Sequence, residues 1–455
     1  MQPSRRQFLK KIGLSSLGFA LLACGHKQAH ARPSIIFIMI DDLGYGDLGC
    51  YGSRFNRTPN IDQLANDGIL FTDYHSNGPM CTPTRAALIT GKYQHRFGRK
   101  FEGAISGKTD YDDGLPLDAF TIAEALKQTG YATGMYGKWH LGYHPPLLPA
   151  NQGFDEFIGL GSGDGDHHTH IDRLGREDWW RNNQLEMEAG YSTNLITSHS
   201  IDFIKAHQQE PFFLYVAHLS IHFPWQGPTD PPHRVKGIDY ANDKWGIIPD
   251  RNNIRPHVKA MIESIDRGVG KIIRTLKELH LDENTLVVIT SDNGGYIHYS
   301  DSHFNISSNG PLRGQKTEVY EGGHRVPFIA CLPGKLQAGA RSDALVMTMD
   351  MFPTFLEFAG SEPPPGLSLD GISILPHLFR QQALPERAVC WKIDDHRAIR
   401  KGKWKLCLIE ERSPELYNLS TDLAEMRNLA PENPELVSRL TAEYFAWEKD
   451  VTSNY

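Results

Sequence analysis

The sequence lacks the features that mark disordered, fibrous or nucleic-acid-binding chains. It has no low-complexity run, no coiled-coil heptad array and no short internal repeat. Basic residues form no cluster, and 47 of them stand against 54 acidic residues for a formal net charge of −7, so a nucleic-acid partner is not expected. Hydrophobic content of 40% and charged content of 22% are typical of a soluble globular protein. The 455 residues suffice for one large domain with a smaller appendage, or for two medium domains.

The first residues predict an export signal. Ser4–Lys10 (SRRQFLK) resembles the signal that the twin-arginine export machinery recognises when it moves folded proteins across the bacterial inner membrane. The apolar stretch Ile12–Ala23 that follows is too short to span a bilayer and suits a signal sequence. The four residues that end at Cys24 (LLAC) resemble a bacterial lipobox, and processing there would tether the protein to a membrane through lipid on Cys24. Simple cleavage near Ala29 or Ala31 is the alternative, and both readings predict an exported bacterial protein, periplasmic or at the cell surface.

Cysteine is scarce for an exported chain of this length, at six residues. Cys24 and Cys81 belong to functional motifs, and the remaining cysteines are Cys50, Cys331, Cys390 and Cys407. Four cysteines allow three pairings, which the sequence leaves open. Folding in the reducing cytoplasm before export favours free, buried thiols.

Apolar β-branched segments alternate with amphipathic helices, which is the pattern of a layered α/β domain with a mostly parallel sheet. The predicted strands are Ser34–Ile40, Tyr131–Tyr136, Phe212–His218, Leu286–Ser291 and Val326–Leu332. A helix is predicted over Val258–Leu279, where apolar residues recur at alternating spacings of four and three.

Polar side chains follow four of these strands. The segments are Asp41-Asp42, Gly137–His140 (GKWH), His218 with His222–Pro224 (HFP), and Asp292–Gly295 (DNGG). Because ligands bind at the carboxyl ends of the strands in open α/β sheets, we expect these acids, the amide, the lysine and the histidines to converge on one edge.

A smaller domain is expected after the proline-rich stretch around residues 363–376. Arg397–Ile399 and Trp404–Leu408 read as an antiparallel hairpin with a turn at Gly402, and Pro434–Lys449 reads as a final helix. The predicted organisation is therefore a signal or lipoprotein segment over residues 1–32, a catalytic domain over 33–380 and a small α+β domain over 381–455.

Cys81 lies in the most informative segment, PMCTPTRAALITG. Thr82 suits a helix N-cap, Pro83 a first helical residue and Gly91 a helix end. Cys81 would then lie just ahead of a helix N-terminus, where backbone N–H groups favour an anion, with Arg85 one turn further on. The residues alone predict a reactive thiol at an oxyanion site, with a buried structural cysteine as the alternative.

Cys81–Arg85 (CTPTR) matches the C-x-P-x-R signature of type I, formylglycine-dependent sulfatases, and the LITG that follows matches its extension. Further blocks occur in that family's order: Asp41–Asp47 (DDLGYGD), Gly137–Gly142 (GKWHLG), Ser291–Gly294 (SDNG) and Gly314–Gly323 (GQKTEVYEGG). From Pro33 to its C-terminal region the chain thus resembles this arylsulfatase-like family of the alkaline-phosphatase superfamily. The resemblance implies an alkaline-phosphatase-like α/β fold, with a large mostly parallel sheet flanked by helices and a smaller C-terminal antiparallel-sheet domain.

The resemblance also implies the cofactors. A formylglycine-generating maturation enzyme would convert Cys81 to 3-oxoalanine (formylglycine), whose hydrate is the nucleophile. The implied metal ligands are Asp41, Asp42, Asp292 and Asn293, together with an oxygen of the modified Cys81. Such an all-oxygen set predicts a hard cation, and Ca²⁺ suits it better than zinc, with Mg²⁺ as the alternative.

Roles follow for the other matched residues. Arg85, Lys138 and Lys316 would hold the sulfate oxygens. His222, with Lys316, would protonate the departing alcohol, and His218 is the runner-up for that role. His140 would take a proton from the second hydroxyl of the hydrate, so that sulfate leaves and the aldehyde is regenerated.

Three features bear on the substrate. The glycine-rich loop Gly161–His170 (GSGDGDHHTH) lies where the family builds part of its substrate pocket. Its histidines could instead bind a second metal, or the loop could be a polar surface loop without a function. Trp179, Trp180 and Trp225 suit either stacking on sugars or buried packing. The export signal and the open loop favour a sulfated carbohydrate, either a polysaccharide or its oligosaccharides.

Two other functions compete with sulfate-ester hydrolysis. A phosphate or phosphonate monoester hydrolase shares the fold and the metal, and an inactive glycan-binding lipoprotein would keep the fold without the chemistry. The lysine and histidine blocks favour sulfate, and every expected catalytic position is filled.

Overall fold

The computed structural model describes residues 32–243, 245 and 253–453. Residues 33–455 make up one compact unit, and the division predicted at residue 380 remains a prediction. The export and lipid signals lie outside the described residues. Within the described ranges we find no helix with the length and apolar character needed to cross a bilayer.

The strands are numbered in chain order. They are β1 Ser34–Ile40, β2 Ile69–Phe71, β3 Tyr74–His75, β4 Ala132–Lys138, β5 Glu156–Leu160, β6 Trp180–Arg181, β7 Gln184–Leu185, β8 Phe212–His218, β9 Thr285–Ser291, β10 His298–Tyr299, β11 His303–Phe304, β12 Phe328–Cys331, β13 Ala340–Ser342, β14 Val346–Met347, β15 Ala388–Ile393, β16 His396–Lys401, β17 Trp404–Leu408 and β18 Glu415–Asn418. The α-helices are α1 Pro59–Asn66, α2 Cys81–Thr90, α3 Ile122–Gln128, α4 Ser192–Ala206, α5 Arg255–Glu278, α6 Glu321–His324, α7 Met351–Phe358, α8 Leu375–Arg380 and α9 Pro434–Val451.

The main sheet has ten strands in the order β13-β2-β12-β9-β1-β8-β4-β5-β6-β7. Its centre, β9-β1-β8-β4-β5, is entirely parallel, whereas β12 is antiparallel to both of its neighbours. The predicted strands are confirmed, with β1 and β8 at the predicted bounds and the others shifted at their ends by one or two residues. The predicted α/β fold with a mostly parallel central sheet is therefore correct.

Both faces of the central sheet are covered, which explains the uninterrupted apolar sequence of β1. Ile35, Phe37 and Met39 belong to one hydrophobic core, and the alternate residues Ile36, Ile38 and Ile40 belong to a second core on the opposite face. Helix α5 begins three residues before its predicted start, and its apolar stripe packs into the second core.

The C-terminal segment forms the predicted antiparallel sheet, in the order β15-β16-β17-β18. Gly402 occupies the turn between β16 and β17 with φ of 54°, a left-handed conformation that favours glycine. Leu440 and Tyr444 of α9 are buried against this sheet, and Leu436 is partly buried there. The five cysteines within the described residues are free thiols, of which Cys50 is partly exposed and the other four are buried.

Candidate active site

Three strand ends bring polar side chains to one edge of the sheet. Asp41 and Asp42 follow β1, and Asp292 and Asn293 follow its neighbour β9. Lys138 ends β4, on the other side of β8. All five side chains are buried, so the predicted convergence of polar groups is what the structure shows.

Helix α2 brings Cys81 to this edge, although it does not begin as predicted. Cys81 is the first helical residue and Met80 is the N-cap, whereas Thr82 was the predicted N-cap. The Thr82 hydroxyl instead donates to the His140 carbonyl at 3.3 Å and accepts from the Ile105 amide at 3.3 Å, so tertiary contacts outcompete local capping. The predicted helix end at Gly91 is correct, with φ of 66°.

Two carboxylates and the Cys81 thiol lie close together at the helix N-terminus. Ligating atoms of Asp41, Cys81 and Asp292 lie within 4.8 Å of one another. Burial and the charge of Asp292 raise the pKa of Asp41 well above its ordinary value, although Lys138 lowers it. Burial also opposes ionisation of Asp292, but Arg85 and the nearby lysines lower its pKa to about 2. Burial and mutual repulsion thus oppose the simultaneous ionisation of Asp41 and Asp292, and a bound cation would offset that repulsion.

Three positively charged side chains contact the carboxylates of Asp292, Asp41 and Asp42. Arg85 donates to Asp292 Oδ2 from Nε at 3.0 Å and from Nη2 at 2.7 Å. Lys138 Nζ lies 2.5 Å from Asp41 Oδ2, and Lys316 Nζ lies 2.5 Å from Asp42 Oδ1. Burial disfavours the ammonium form of Lys316, but the charge of Asp42 overcomes this and raises the pKa of Lys316 well above its ordinary value.

The donor set fits a hard cation. Asp41 Oδ1 and Asn293 Oδ1 are buried and have no hydrogen-bond partner among the described residues. The Asn293 amide nitrogen donates to Asp42 Oδ1 at 2.8 Å, which leaves its oxygen as the free atom. The Cys81 sulfur occupies the position where the modified residue would present oxygen. Carboxylate and amide oxygens at one buried point are the ligands that Ca²⁺ and Mg²⁺ bind.

Two histidines have one ring nitrogen fixed by a backbone carbonyl. His140 Nε2 lies 2.7 Å from the Ile105 carbonyl oxygen, and its buried Nδ1 has no partner among the described residues. His222 Nδ1 lies 2.8 Å from the Phe223 carbonyl oxygen. Burial and the charges of nearby lysines lower the pKa of both imidazoles well below the ordinary value, so both are neutral at pH 7.

A cavity of about 180 Å³ opens onto these groups. It is lined by Met80, Cys81, Ala104, Ile105, Ser106, His140, Arg173, His222, Phe223, Tyr296, Tyr299 and Lys316. Four of the six predicted catalytic residues are therefore brought together on one surface. A larger cavity of about 380 Å³, lined in part by Asp73, Arg387 and Arg400, contains none of them.

The other predicted residues lie outside the lining of the smaller cavity. Arg85 and Lys138 are fully buried behind it, where their charged groups contact carboxylates. His218 is also fully buried, and neither of its ring nitrogens has a partner among the described residues. The geometry thus favours His222 over His218 for a role at the cavity.

The glycine- and histidine-rich loop is a packed part of the site. Gly163 lies against the His140 ring, where a Cβ atom would come within 2.2 Å of Nε2. Asp166 accepts backbone N–H groups from four residues and so fixes the fold of the loop. His167 and His170 are buried, and neither belongs to a set of described side chains that could hold a metal.

The tryptophans singled out in the sequence serve mainly in packing. Trp179 and Trp225 are 1% and 2% exposed, and Trp179 stacks on His170 with ring centroids 4.2 Å apart. Trp180 is partly buried, and its Nε1 donates to Asp178 at 2.7 Å. None of the three lines the cavity.

A second group of potential ligands, His75, Glu321 and His324, lies away from the cavity. Lys405 Nζ from β17 is 2.9 Å from Glu321 Oε1 and 3.1 Å from His324 Nε2. Because this ammonium already neutralises the carboxylate, the group acts as a buried ion-pair network that joins β17 of the C-terminal sheet to α6 and β3.

Sequence reasoning missed Arg173, Tyr296 and Tyr299 as cavity residues. Arg173 follows the glycine- and histidine-rich loop, and the tyrosines follow Asp292–Gly295, so proximity to those motifs was the only available signal. Loop residues carry no periodicity, and nothing in the sequence shows which of them face a cavity.

Comparison with known proteins places this geometry in a family. The Sulfatase family model matches residues 33–361, and the model described as N-sulphoglucosamine sulphohydrolase, C-terminal, matches residues 315–449. The chain is 33% identical to the N-acetylgalactosamine-6-sulfatase of Canis lupus familiaris over 84% of this chain and 72% of that protein. It is 29% identical to the N-acetylgalactosamine-6-O-sulfatase of Bacteroides thetaiotaomicron over 93% of this chain and 96% of that protein.

A solved structure agrees with these sequence matches. The crystal structure of Ps i-CgsB in complex with k-i-k-neocarrahexaose superposes with a TM-score of 0.81 at 30% identity, covering 93% of this chain and 94% of that one. The chain therefore belongs to the sulfatase family of the alkaline-phosphatase superfamily and is a sulfuric ester hydrolase.

Proposed function

We propose that the protein removes sulfate from sulfated carbohydrates, with Cys81 converted to formylglycine and Ca²⁺ bound beside it. The observation that carries this proposal is the position of Cys81, which lies at the cavity surface and within 4.8 Å of two buried carboxylates. The relatives support a carbohydrate substrate, since they include N-acetylgalactosamine-6-sulfatases and a protein solved in complex with a neocarrahexaose.

The modified residue and the cation would together supply an acidified hydroxyl nucleophile and a second hydroxyl from which the aldehyde is regenerated. Asp41, Asp42, Asp292 and Asn293 would hold the cation through oxygen. Arg85 positions Asp292 by donating two N–H groups to one of its oxygens.

The cavity histidines are set up to move protons at defined atoms. The Ile105 carbonyl fixes the proton of His140 on Nε2, so Nδ1 is a free acceptor and suits the role of base. The Phe223 carbonyl fixes the proton of His222 on Nδ1 in the same way, which leaves Nε2 free. A sulfate ester in the cavity adds negative charge near His222, which favours its protonation and allows Nε2 to donate to the departing oxygen. Lys316, which keeps its proton, would hold a sulfate oxygen and assist that donation.

The reaction class is tested with matched aryl esters. The chain is co-produced with a formylglycine-generating enzyme, and turnover of 4-nitrophenyl sulfate is compared with that of 4-nitrophenyl phosphate. We expect a preference for the sulfate, and a preference for the phosphate would overturn the proposal in favour of a phosphate or phosphonate monoester hydrolase. Absence of turnover on both esters and on sulfated sugars would favour the inactive glycan-binding alternative.

The nucleophile is tested with Cys81→Ala. Cys81 is buried and its side chain is small, so the fold should survive while turnover falls roughly 10³-fold or more. Thermal unfolding of the same sample controls for the fold. Retained turnover would show that another residue is the nucleophile.

We also propose that the chain is exported by the twin-arginine machinery and lipidated at Cys24. Replacing both Arg5 and Arg6 by lysine should retain the protein in the cytoplasm, whereas Lys10→Arg, as a matched control, should not. Cys24→Ala should release the exported protein from the membrane fraction. Unchanged fractionation of these variants would refute the respective signal.

A further inference from the structure

Among the residues that the structure describes, Arg173 is the one arginine in the lining of the catalytic cavity, and the proposed chemistry gives it no task. It shares that lining with Cys81, His222 and Lys316. Its side chain is 24% exposed, whereas Arg85 is fully buried. The guanidinium of Arg173 is therefore open to a bound substrate.

Arg173 is held in place from two sides. Its Nε donates to Asp164 Oδ1 at 3.0 Å, and Asp164 is itself buried and 3.3 Å from Nη2 of Arg234. The guanidinium carbon lies 5.7 Å from the centroid of the Phe223 ring, which also lines the cavity. The function of the loop 161–170 was left open by the sequence. Through Asp164 this loop fixes the position of the Arg173 guanidinium at the cavity.

The terminal nitrogens of Arg173 differ from the other charged donors of the site. Lys138 and Lys316 each contact a carboxylate through their only nitrogen, and Arg85 uses Nε and Nη2 on Asp292. Arg173 donates to Asp164 through Nε, and within the described part of the chain no hydrogen bond from its Nη1 or Nη2 is found. A guanidinium fixed at one edge presents the remaining N–H groups as a fork, which matches the two oxygens of a carboxylate or a sulfate.

We propose that Arg173 is a specificity-determining residue that binds a second anionic group of the substrate, a carboxylate or a further sulfate, beside the sulfate ester that is cleaved. The inference rests on the proposed function and names its substrate class as carbohydrates with at least two negative charges. Because Arg173 and Cys81 line the same small cavity, the second anion belongs to the same sugar as the cleaved ester or to the sugar next to it.

The test compares substrates that differ by one charge. The probes are 4-nitrophenyl sulfate, N-acetylgalactosamine 6-sulfate, its 4,6-disulfate, and a disaccharide in which the 6-sulfated sugar is linked to a uronic acid. The disulfate and the uronate arms distinguish a sulfate from a carboxylate as the second anion. The wild-type protein should show a higher kcat/KM on at least one of these two than on the singly charged sugar.

Arg173→Ala should lower kcat/KM about 10- to 100-fold on the preferred doubly charged substrate, the usual loss for hydrogen bonds to a charged group. The same variant should leave 4-nitrophenyl sulfate and the singly charged sugar within about 3-fold of wild type. Arg173→Lys keeps the positive charge but lacks the paired N–H groups of the guanidinium. It should therefore retain only part of the wild-type preference for the doubly charged substrate.

Arg176→Ala is the matched control. Arg176 lies three residues away and its Nε is bound to Asp172 at 2.6 Å, but it does not line the cavity. This variant should keep the wild-type preference for the doubly charged substrate.

Two results would overturn the inference. An equal loss on all four probes in Arg173→Ala would show that the residue holds the cleaved sulfate or the fold, and an unchanged preference would show that it binds no second anion. Failure of the wild-type protein to hydrolyse 4-nitrophenyl sulfate and every sulfated sugar would refute the proposed function, which is a distinguishable outcome.

Discussion

Replacing Arg85 by methionine would remove a fully buried positive charge and leave Asp292 without its main partner. The guanidinium donates to Asp292 Oδ2 at 3.0 and 2.7 Å and to the Lys138 carbonyl at 2.7 Å. Breaking a buried pair on one side costs about 3–5 kcal/mol, because the remaining charge stays desolvated. Since whole-protein stability is about 5–15 kcal/mol, such a loss is large enough to measure by equilibrium unfolding.

The double variant makes the prediction sharper. Asp292→Asn should cost a similar amount, because Arg85 then loses the carboxylate that it contacts. When both substitutions are combined, no unpaired charge is left between them, so the combined loss should fall short of the sum by roughly 2–3 kcal/mol.

Urea unfolding in the presence of a chelator measures these values without a contribution from bound cation. Arg181→Met is the matched control, because Arg181 forms an ion pair with Glu186 at 3.0 Å in which both side chains are about half exposed. Its loss should stay below about 1 kcal/mol. Additive losses in the double variant would refute the claim that Arg85 and Asp292 form one coupled buried pair.

Three further predictions concern the His140 contact, a buried histidine and the cation. Gly163→Ala should push the His140 ring out of place and lower kcat, because the added Cβ would come within 2.2 Å of Nε2, whereas Gly103→Ala, with nothing within 4 Å, should be neutral in the same kinetic assay. Burial lowers the pKa of His218 from 6.5 to about 4. As the pH falls, this histidine is therefore protonated in the unfolded chain before it is protonated in the folded chain, and the free energy of unfolding decreases between pH 6.5 and pH 4. His218→Leu should remove roughly 3 kcal/mol from the decrease in the free energy of unfolding over this pH range. Urea unfolding at several pH values measures it, and an unchanged dependence on pH in the variant would contradict the prediction. Adding Ca²⁺ at a hundred times its Kd should stabilise the wild-type protein by about 2.7 kcal/mol in calorimetry, and stabilisation by Zn²⁺ but not by Ca²⁺ would contradict the assignment of a hard cation.

The parts of the fold that follow from local sequence pattern were predictable. Strand β1 is apolar from Ile35 to Ile40 because successive residues enter two different cores, and that pattern is visible without a structure. The meeting of Asp41 and Asp292 also followed from sequence, because parallel neighbouring strands bring their carboxyl ends to one edge.

The parts that depend on tertiary contacts were not predictable. Thr82 has the side chain of an N-cap, yet its hydroxyl contacts His140 and Ile105, which are distant in sequence. Arg173 lies on a loop, where neither helical nor strand periodicity applies, and its importance rests on the anchor that Asp164 provides.

The central claim is that the side chain at position 81 acts as an aldehyde hydrate beside a bound cation. Mass spectrometry of the peptide that contains Cys81, taken from protein matured in its native host and shown to release sulfate, tests that claim most directly. We predict that the peptide carries the aldehyde in proportion to the activity of the preparation. An unmodified thiol in a fully active preparation would contradict the account.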